Sequence, residues 1–185
     1  MNNPSYEALV RQYAPALDLF GPAVLRDWAR HEATAMKYAA RLPAGAHLLD
    51  VGSGGGLPGI VIARERPDVH VTLCERRERR ATFLKLAVAR LGLTNADVFA
   101  GDVRDWRGQT NWVSAQAVAD VDDLIGLLQG VTTDTWTLLT RRARAWYPPA
   151  HRMGYTITAA REALDDAHDL VELHLTRTGN GDPNA

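Results

Sequence analysis

The period at which apolar positions recur changes several times along the chain. From Pro4 to about Ala40, the residues Ala8, Leu9, Tyr13, Val24, Leu25, Trp28 and Met36 fall at helical spacing, with interruptions near Pro15 and at Gly21-Pro22. Residues 1–44 are therefore expected to be an N-terminal helical extension. After the turn Pro43-Ala44-Gly45, the run Ala46 to Val51 reads as a buried strand ended by glycines, and a short helix begins near Pro58. His70 to Glu75 is a second strand, and a helix from Glu78 to Leu91 places Leu84, Ala87, Val88 and Leu91 on one face before Gly92 stops it. A third strand is expected over Asp97 to Gly101, a fourth over Asn111 to Ala117, a helix over Val121 to Gln129 and a fifth strand over Thr135 to Arg141.

Strand and helix alternate through this region, which predicts an α/β fold with a mostly parallel sheet covered by helices on both faces. Tyr155 to Ala160 and Leu170 to Thr176 are also strand-like, with too few residues between them for a crossover helix, so an antiparallel C-terminal pair completes seven strands. Residues 45–178 would form this domain, and the polar, glycine-rich stretch 179–185 a flexible tail.

At 185 residues the chain suits one well-filled core, and 46% apolar with 23% charged residues excludes wholesale disorder. A net charge of -1 leaves no global positive field, so a nucleic-acid partner must meet a local basic patch. Cys74 is the only cysteine, which excludes an internal disulfide and a thiolate metal cage and fits a reducing compartment. No signal-like start or bilayer-length apolar stretch is present, so the protein is expected to be soluble and cytoplasmic, with no membrane partner.

The chemistry concentrates where the first strand ends, at Asp50-Val51-Gly52-Ser53-Gly54-Gly55-Gly56. Glycines let the main chain pass close to a ligand, and open α/β sheets bind cofactors at this carboxyl edge. The second strand ends in Glu75, a carboxylate able to accept from two ribose hydroxyls. A dinucleotide fingerprint wants glycine where Leu57 stands, and no Gly-Lys-Ser/Thr follows, so the spacing favours S-adenosylmethionine over NAD or a nucleotide phosphate. Two roles are open to Asp50: ordering the loop, or balancing the cofactor's ammonium. Asp102, after the third strand, either accepts from the adenine amino group or caps a helix.

The string DVGSGGGLPGI, followed by RRATFLKLAVARLGLTN, resembles the RsmG (GidB) family of bacterial small-subunit ribosomal RNA methyltransferases. Gly56-Leu57-Pro58-Gly59 is the specific part, and His31 stands where that family carries a histidine. The resemblance runs from about His31 to Arg141. It implies a Rossmann-like class I methyltransferase that uses S-adenosylmethionine to make 7-methylguanosine in ribosomal RNA, free or within the small ribosomal subunit. It also implies a cofactor site at Asp50, Gly52, Ser53, Gly54, Gly56, Leu57, Glu75, Asp102, Val103, Arg104 and Gln116, with His31, Arg141 and Arg142 towards the substrate. Four departures accompany it. The family's His-x-x-Asp-Ser-Leu becomes His31 followed by Thr34, Ala35 and Met36; its Arg-x-Glu becomes Asp102-Val103-Arg104; its Ser-Arg-Ala becomes Ala115-Gln116-Ala117; and its Lys-Gly becomes Arg141-Arg142. The arginine replaced by Gln116 would have faced the cofactor carboxylate, and an amide hydrogen-bonds but does not neutralise.

Guanine nitrogen 7 offers a free lone pair and loses no proton, so alignment alone could drive the transfer, contributing on the order of 7 to 11 kcal/mol. An oxygen or amine acceptor needs a base, for which His31 is the candidate, against a plain role in helix packing or capping. His47, His70, His151, His168 and His174 show no ligand spacing, so no metal is expected. Arg76, Arg77, Arg79 and Arg80 follow the second strand, and Arg141, Arg142, Arg144 and Arg152 follow the fifth, where they either meet RNA phosphates or remain solvated. Trp146 and Tyr147 either stack on a base or pack a loop onto the sheet. Two other functions stay open: a methyltransferase acting on a small-molecule acceptor, and a cofactor-binding protein without catalysis.

Overall fold

The computed structural model describes residues 5–116 and 118–178. The tail at 179–185, Pro4 at the start of the expected extension, and Ala117 at the end of the expected fourth strand lie outside the described residues.

The N-terminal region forms three helices, α1 (Tyr6–Leu17), α2 (Pro22–Arg26) and α3 (Trp28–Ala39). Ser5 caps α1 by accepting the Ala8 N–H. Pro15 does not break it, because it sits in the last turn, and the helix ends at Asp18 in the left-handed region (φ 48°). The buried face is not quite the expected one. Ala8 and Met36 are exposed, while Tyr6, Leu9, Val10 and Ala14, then Trp28, Ala35, Tyr38 and Ala39, point inward. The break at Asp27 resets the helical phase, so Ala35 and not Met36 continues the line from Trp28. Edge-on contacts of Trp28 with Tyr6 (5.1 Å between ring centroids) and Phe20 (5.7 Å) fasten the three helices together.

The remaining elements are β1 (His47–Val51), α4 (Gly59–Glu65), β2 (His70–Glu75), α5 (Glu78–Leu91), β3 (Ala96–Ala100), a 3-10 turn (Val103–Asp105), β4 (Thr110–Ala115), α6 (Val121–Leu128), β5 (Thr132–Ala143), β6 (His151–Arg152), β7 (Tyr155–Ala163) and β8 (His168–Arg177). They form one sheet in the order β3-β2-β1-β4-β5-β8-β7-β6. The first five strands are parallel, and β8 runs antiparallel to both β5 and β7. Among the described residues there are eight strands, one more than expected, because β6 and β7 form a tight hairpin through Met153 (φ 52°) and Gly154 (φ 78°). β5 is longer than expected at both ends. Its partner β8 pairs continuously from Thr135↔Thr176 to Ala143↔His168 and carries the strand beyond Arg141.

Helices cover both faces, but unequally. One face packs against α1, α3, α4 and α5 through residues such as Tyr6, Ile60 and Phe83. The other is covered by α6 and the 3-10 turn, with Val121, Leu124, Ile125 and Leu128 meeting Val113, Trp136 and Leu138. Each fully buried aliphatic side chain contributes roughly 1.5–3 kcal/mol, so this one amphipathic helix is the principal cover of its face. Arg152 ties the β6–β7 hairpin to α6 through Asp122 at 2.6 Å. The strand order reverses between β1 and β4, which opens a crevice at the carboxyl ends of the parallel strands. No helix among the described residues is long and apolar enough to cross a membrane.

Candidate functional site

The crevice contains a cavity of about 720 Å³, within the usual range for small-molecule sites. Its floor is the loop after β1. Gly52 and Ser53 donate main-chain N–H groups to the Cys74 carbonyl at 2.9 and 3.1 Å, Ser53 Oγ donates to the Asp50 carbonyl at 2.8 Å, and Gly56 N donates to the Ser53 carbonyl at 2.7 Å. Gly52, Gly54 and Gly56 have φ of 69°, 56° and 105°, the left-handed region where a side chain is strained. The glycines differ in what surrounds them. A Cβ on Gly56 would stand 2.5 Å from Ile60 and 2.8 Å from the Tyr6 hydroxyl, and one on Gly55 would stand 2.3 Å from Phe20. Gly54 has no protein atom closer than 3.7 Å at that point.

Asp50 sits beneath this loop and does not line the cavity. Its Oδ1 accepts from Ser114 Oγ at 2.6 Å, while the buried Oδ2 has no hydrogen-bond partner. Burial pushes its carboxyl up to about 6, opposed by the hydrogen bond from Ser114. Glu75 is in the cavity wall. Its Oε2 accepts the Gly54 N–H at 2.9 Å and its Oε1 the Arg77 N–H at 2.8 Å, so the carboxylate positions the loop and keeps further lone pairs for a ligand. Ser53, Gly52, Gly54 and Leu57 also line the cavity, whereas Gly56 lies behind it.

Beyond β3, Asp102 caps the 3-10 turn by accepting the Arg104 N–H at 3.0 Å and receives the Arg104 guanidinium at 2.9 and 2.7 Å. Those bonds hold its carboxyl well below the usual range. Asp102, the buried Val103 and the exposed Arg104 all line this end. At the opposite end, past β4 and β5, the lining residues are Gln116, Arg141 and His31. Burial, and then the nearby Arg141, lower the His31 pKa. Arg142 is not in the wall. It points to the other side of the sheet, over the Trp146 ring at 5.6 Å, and donates to the Ala119 carbonyl at 3.1 Å.

The two arginine clusters also divide. Arg76, Arg77 and Arg80 line the cavity mouth, with Arg80 held by Asp18. Arg144 pairs with Asp169 at 3.2 Å, and Arg152 is engaged at α6. Trp146 packs against the core of the α6 face, while Tyr147 is 72% exposed beneath Arg161. Cys74 is buried, and its thiol is pushed up to about 12, as befits an unreactive core residue. Among the described residues, no group of three or more His, Cys, Asp or Glu side chains could hold a metal ion.

Several site residues carried no signal in the sequence. Leu19 and Phe20 from the α1–α2 connection and Val24 from α2 line the cavity, and Tyr6 donates its hydroxyl to the Gly55 carbonyl at 2.7 Å. The Gly21-Pro22 break marks the connection as a turn, but nothing local says that it folds over the loop at residues 52–56.

The arrangement has counterparts among known proteins. A family model described as rRNA small subunit methyltransferase G matches residues 5–144. The ribosomal RNA small subunit methyltransferase G of Nocardioides sp. is 38% identical over 130 residues, covering 69% of this chain and 52% of that protein. That of Kineococcus radiotolerans is 33% identical over an alignment of 190, covering 96% and 74%. This chain thus spans about half the length of several relatives it matches. The crystal structure of a SAM-dependent methyltransferase from Aquifex aeolicus superposes with a TM-score of 0.62 at 14% identity, covering 94% of this chain and all of that one, a likeness of fold. With the family model matched from α1 to the end of β5, the chain belongs to the rRNA small subunit methyltransferase G family.

Proposed function

We propose that this protein is an S-adenosylmethionine-dependent methyltransferase acting in the cytoplasm on a guanine ring nitrogen of small-subunit ribosomal RNA. The observation that carries this is the loop at residues 52–56, whose main chain is fixed by Glu75 and Cys74 against a cavity of about 720 Å³ at the sheet's switch point. The volume and the polar groups fit a nucleoside carrying an amino-acid arm. Glu75 would receive the ribose hydroxyls, and Asp102, Val103 and Arg104 would border the base. Gly52, Ser53, Gly54 and Leu57 would pass beneath the arm, with Gln116 at its far end. Residues 45–178 would be the methyltransferase body, and residues 1–44 an extension that covers the loop, as the contacts of Tyr6 and Phe20 with Gly55 suggest.

S-adenosylmethionine, when bound, supplies an electrophilic methyl group. The protein's own work is then alignment, because guanine nitrogen 7 attacks with a free lone pair and no side chain has to remove a proton. Holding the reactants at near-attack geometry contributes on the order of 7 to 11 kcal/mol. Burial and the nearby Arg141 lower the His31 pKa, which disfavours a second charge beside a guanine that gains one. Arg76, Arg77 and Arg80 at the mouth supply cations where RNA phosphates would approach.

Incubation with tritiated S-adenosylmethionine and undermethylated small ribosomal subunits should label the RNA, and unlabelled RNA would refute the assignment. The departures at Gln116 and Arg141-Arg142 favour a small-molecule acceptor as the second candidate. A steep salt dependence of RNA binding would count against that candidate.

A further inference from the structure

At the β4–β5 end of the cavity, hydrogen-bond donors lack acceptors. The Tyr38 hydroxyl is fully buried and unpartnered, and it lies near Gln116, Arg141 and Arg142. The Nε–H of Arg141 is likewise buried without an acceptor, whereas Arg142 points away from the cavity. A buried donor left unmet is costly, and two together beside a cavity are what the surroundings of an oxyanion look like before it arrives. Arg141 is also held in place. Its Nη2 donates to Asp165 Oδ2 at 3.0 Å, and Asp165 is itself fixed by the main-chain N–H groups of Ala167 and His168 at 2.9 and 2.8 Å. The guanidinium is therefore pre-positioned in the cavity wall.

Position along the sheet says which part of a ligand would meet it. Glu75 and Asp102 stand at the β2 and β3 end, and Arg141 stands in β5, four strand intervals from β3, roughly 19 Å at about 4.8 Å each. A nucleoside whose hydroxyls meet Glu75 must extend its arm towards β4 and β5. Ala115 pairs with Thr140, so Gln116 and Arg141 are the next residues on adjacent strands and border the same cavity. We infer that Arg141, with the Tyr38 hydroxyl and Gln116, forms an oxyanion subsite whose occupant is the carboxylate of the cofactor's amino-acid arm. The inference rests on the cofactor assignment above and gives Arg141 a cofactor role in place of a substrate role. A phosphate of the RNA is the other oxyanion that could reach the same donors.

The test is titration calorimetry with two ligands that share the nucleoside. S-adenosylhomocysteine carries the carboxylate, and 5′-methylthioadenosine lacks it. In Arg141→Gln, affinity for S-adenosylhomocysteine should fall roughly ten- to a hundred-fold, while affinity for methylthioadenosine stays within about twofold. Arg141→Lys should recover part of the loss. Gln116→Glu, which leaves the Arg141–Asp165 pair intact, should also weaken the first ligand alone, by charge repulsion. RNA affinity measured on the same variants separates the two oxyanions: a loss confined to RNA would keep the subsite but make its occupant a phosphate. Equal losses for both nucleosides, or none for any ligand, would overturn the subsite. Methylthioadenosine binding to the unaltered protein reports on the cofactor assignment by itself, and if neither nucleoside binds, the assignment fails before the subsite is in question.

Discussion

The two ends of the cavity are built by different means. On the β1–β2 side, the main chain does most of the work: Gly54 N–H, Arg77 N–H and the Cys74 carbonyl are all engaged, with Glu75, Ser53 and Tyr6 as side chains that fasten the loop. On the β4–β5 side, long side chains from distant parts of the chain converge. Tyr38 comes from α3, Gln116 from just beyond β4, Arg141 from β5, and Asp165 from the turn before β8. The first side leaves Asp50 Oδ2 without a partner beneath the loop, and the second leaves buried donors unmet. Main-chain geometry tolerates little variation, whereas a side-chain constellation can exchange members as long as its charge and hydrogen bonds are kept. That contrast fits a loop string that matches the family beside three departures at the other edge, after His31, at Gln116 and at Arg141-Arg142.

The largest expected effect breaks the main-chain side. Gly54→Val places a branched side chain on the cavity side of the loop, where no protein atom stands closer than 3.7 Å. Calorimetry should show S-adenosylhomocysteine binding lost, by more than about a hundredfold, while stability falls by only about 1–2 kcal/mol for the positive φ. Undiminished affinity would place the ligand elsewhere. Next is Glu75→Ala, which removes both the loop anchor and the ribose acceptor and should weaken the same ligand roughly ten- to a hundred-fold.

Asp50→Asn sharpens the contrast in stability instead of binding. The folded carboxyl holds its proton up to about pH 6, above its unfolded value, so its contribution is complete below about pH 4 and lost as pH rises through 6. At pH 8 the buried charge opposes folding, and the asparagine variant should be more stable by on the order of 1–3 kcal/mol, an advantage that vanishes near pH 4. Denaturant melts at the two pH values decide this, and equal differences would show that the carboxyl is not desolvated. The smallest effect belongs to Arg104→Gln. Its bond to Asp102 is exposed to solvent, and ligand affinity should change by less than about twofold. A larger loss would mean that the guanidinium itself contacts the base.

How much of this was legible in the sequence follows the same division. The loop, Glu75 and the alternating strands are local patterns, set by positive φ, strand ends and apolar periodicity. The C-terminal extent of the fifth strand has no local signal because it is carried by β8, which lies 25 or more residues further on at every pairing. The hairpin strand β6, two residues long, is too short to have a period. The α3 face differs by one position from the apolar spacing because the break at Asp27 has neither glycine nor proline to announce it. The cover over the loop depends on Tyr6 meeting Gly55, a contact across 49 residues that no local pattern encodes.

The insertion of β8 between β5 and β7 has a consequence for how the molecule matures. Leu170, Val171, Leu173 and Leu175 are all within 1% of complete burial, and each of the two flanking strands relies on β8 for its ladder. A nascent chain that has emerged only as far as Asp165 would hold a five-stranded platform with an unpaired, apolar border, the geometry that invites association with other chains. The keystone arrives after the arch it locks, so synthesis must run through β8 before the sheet is sealed.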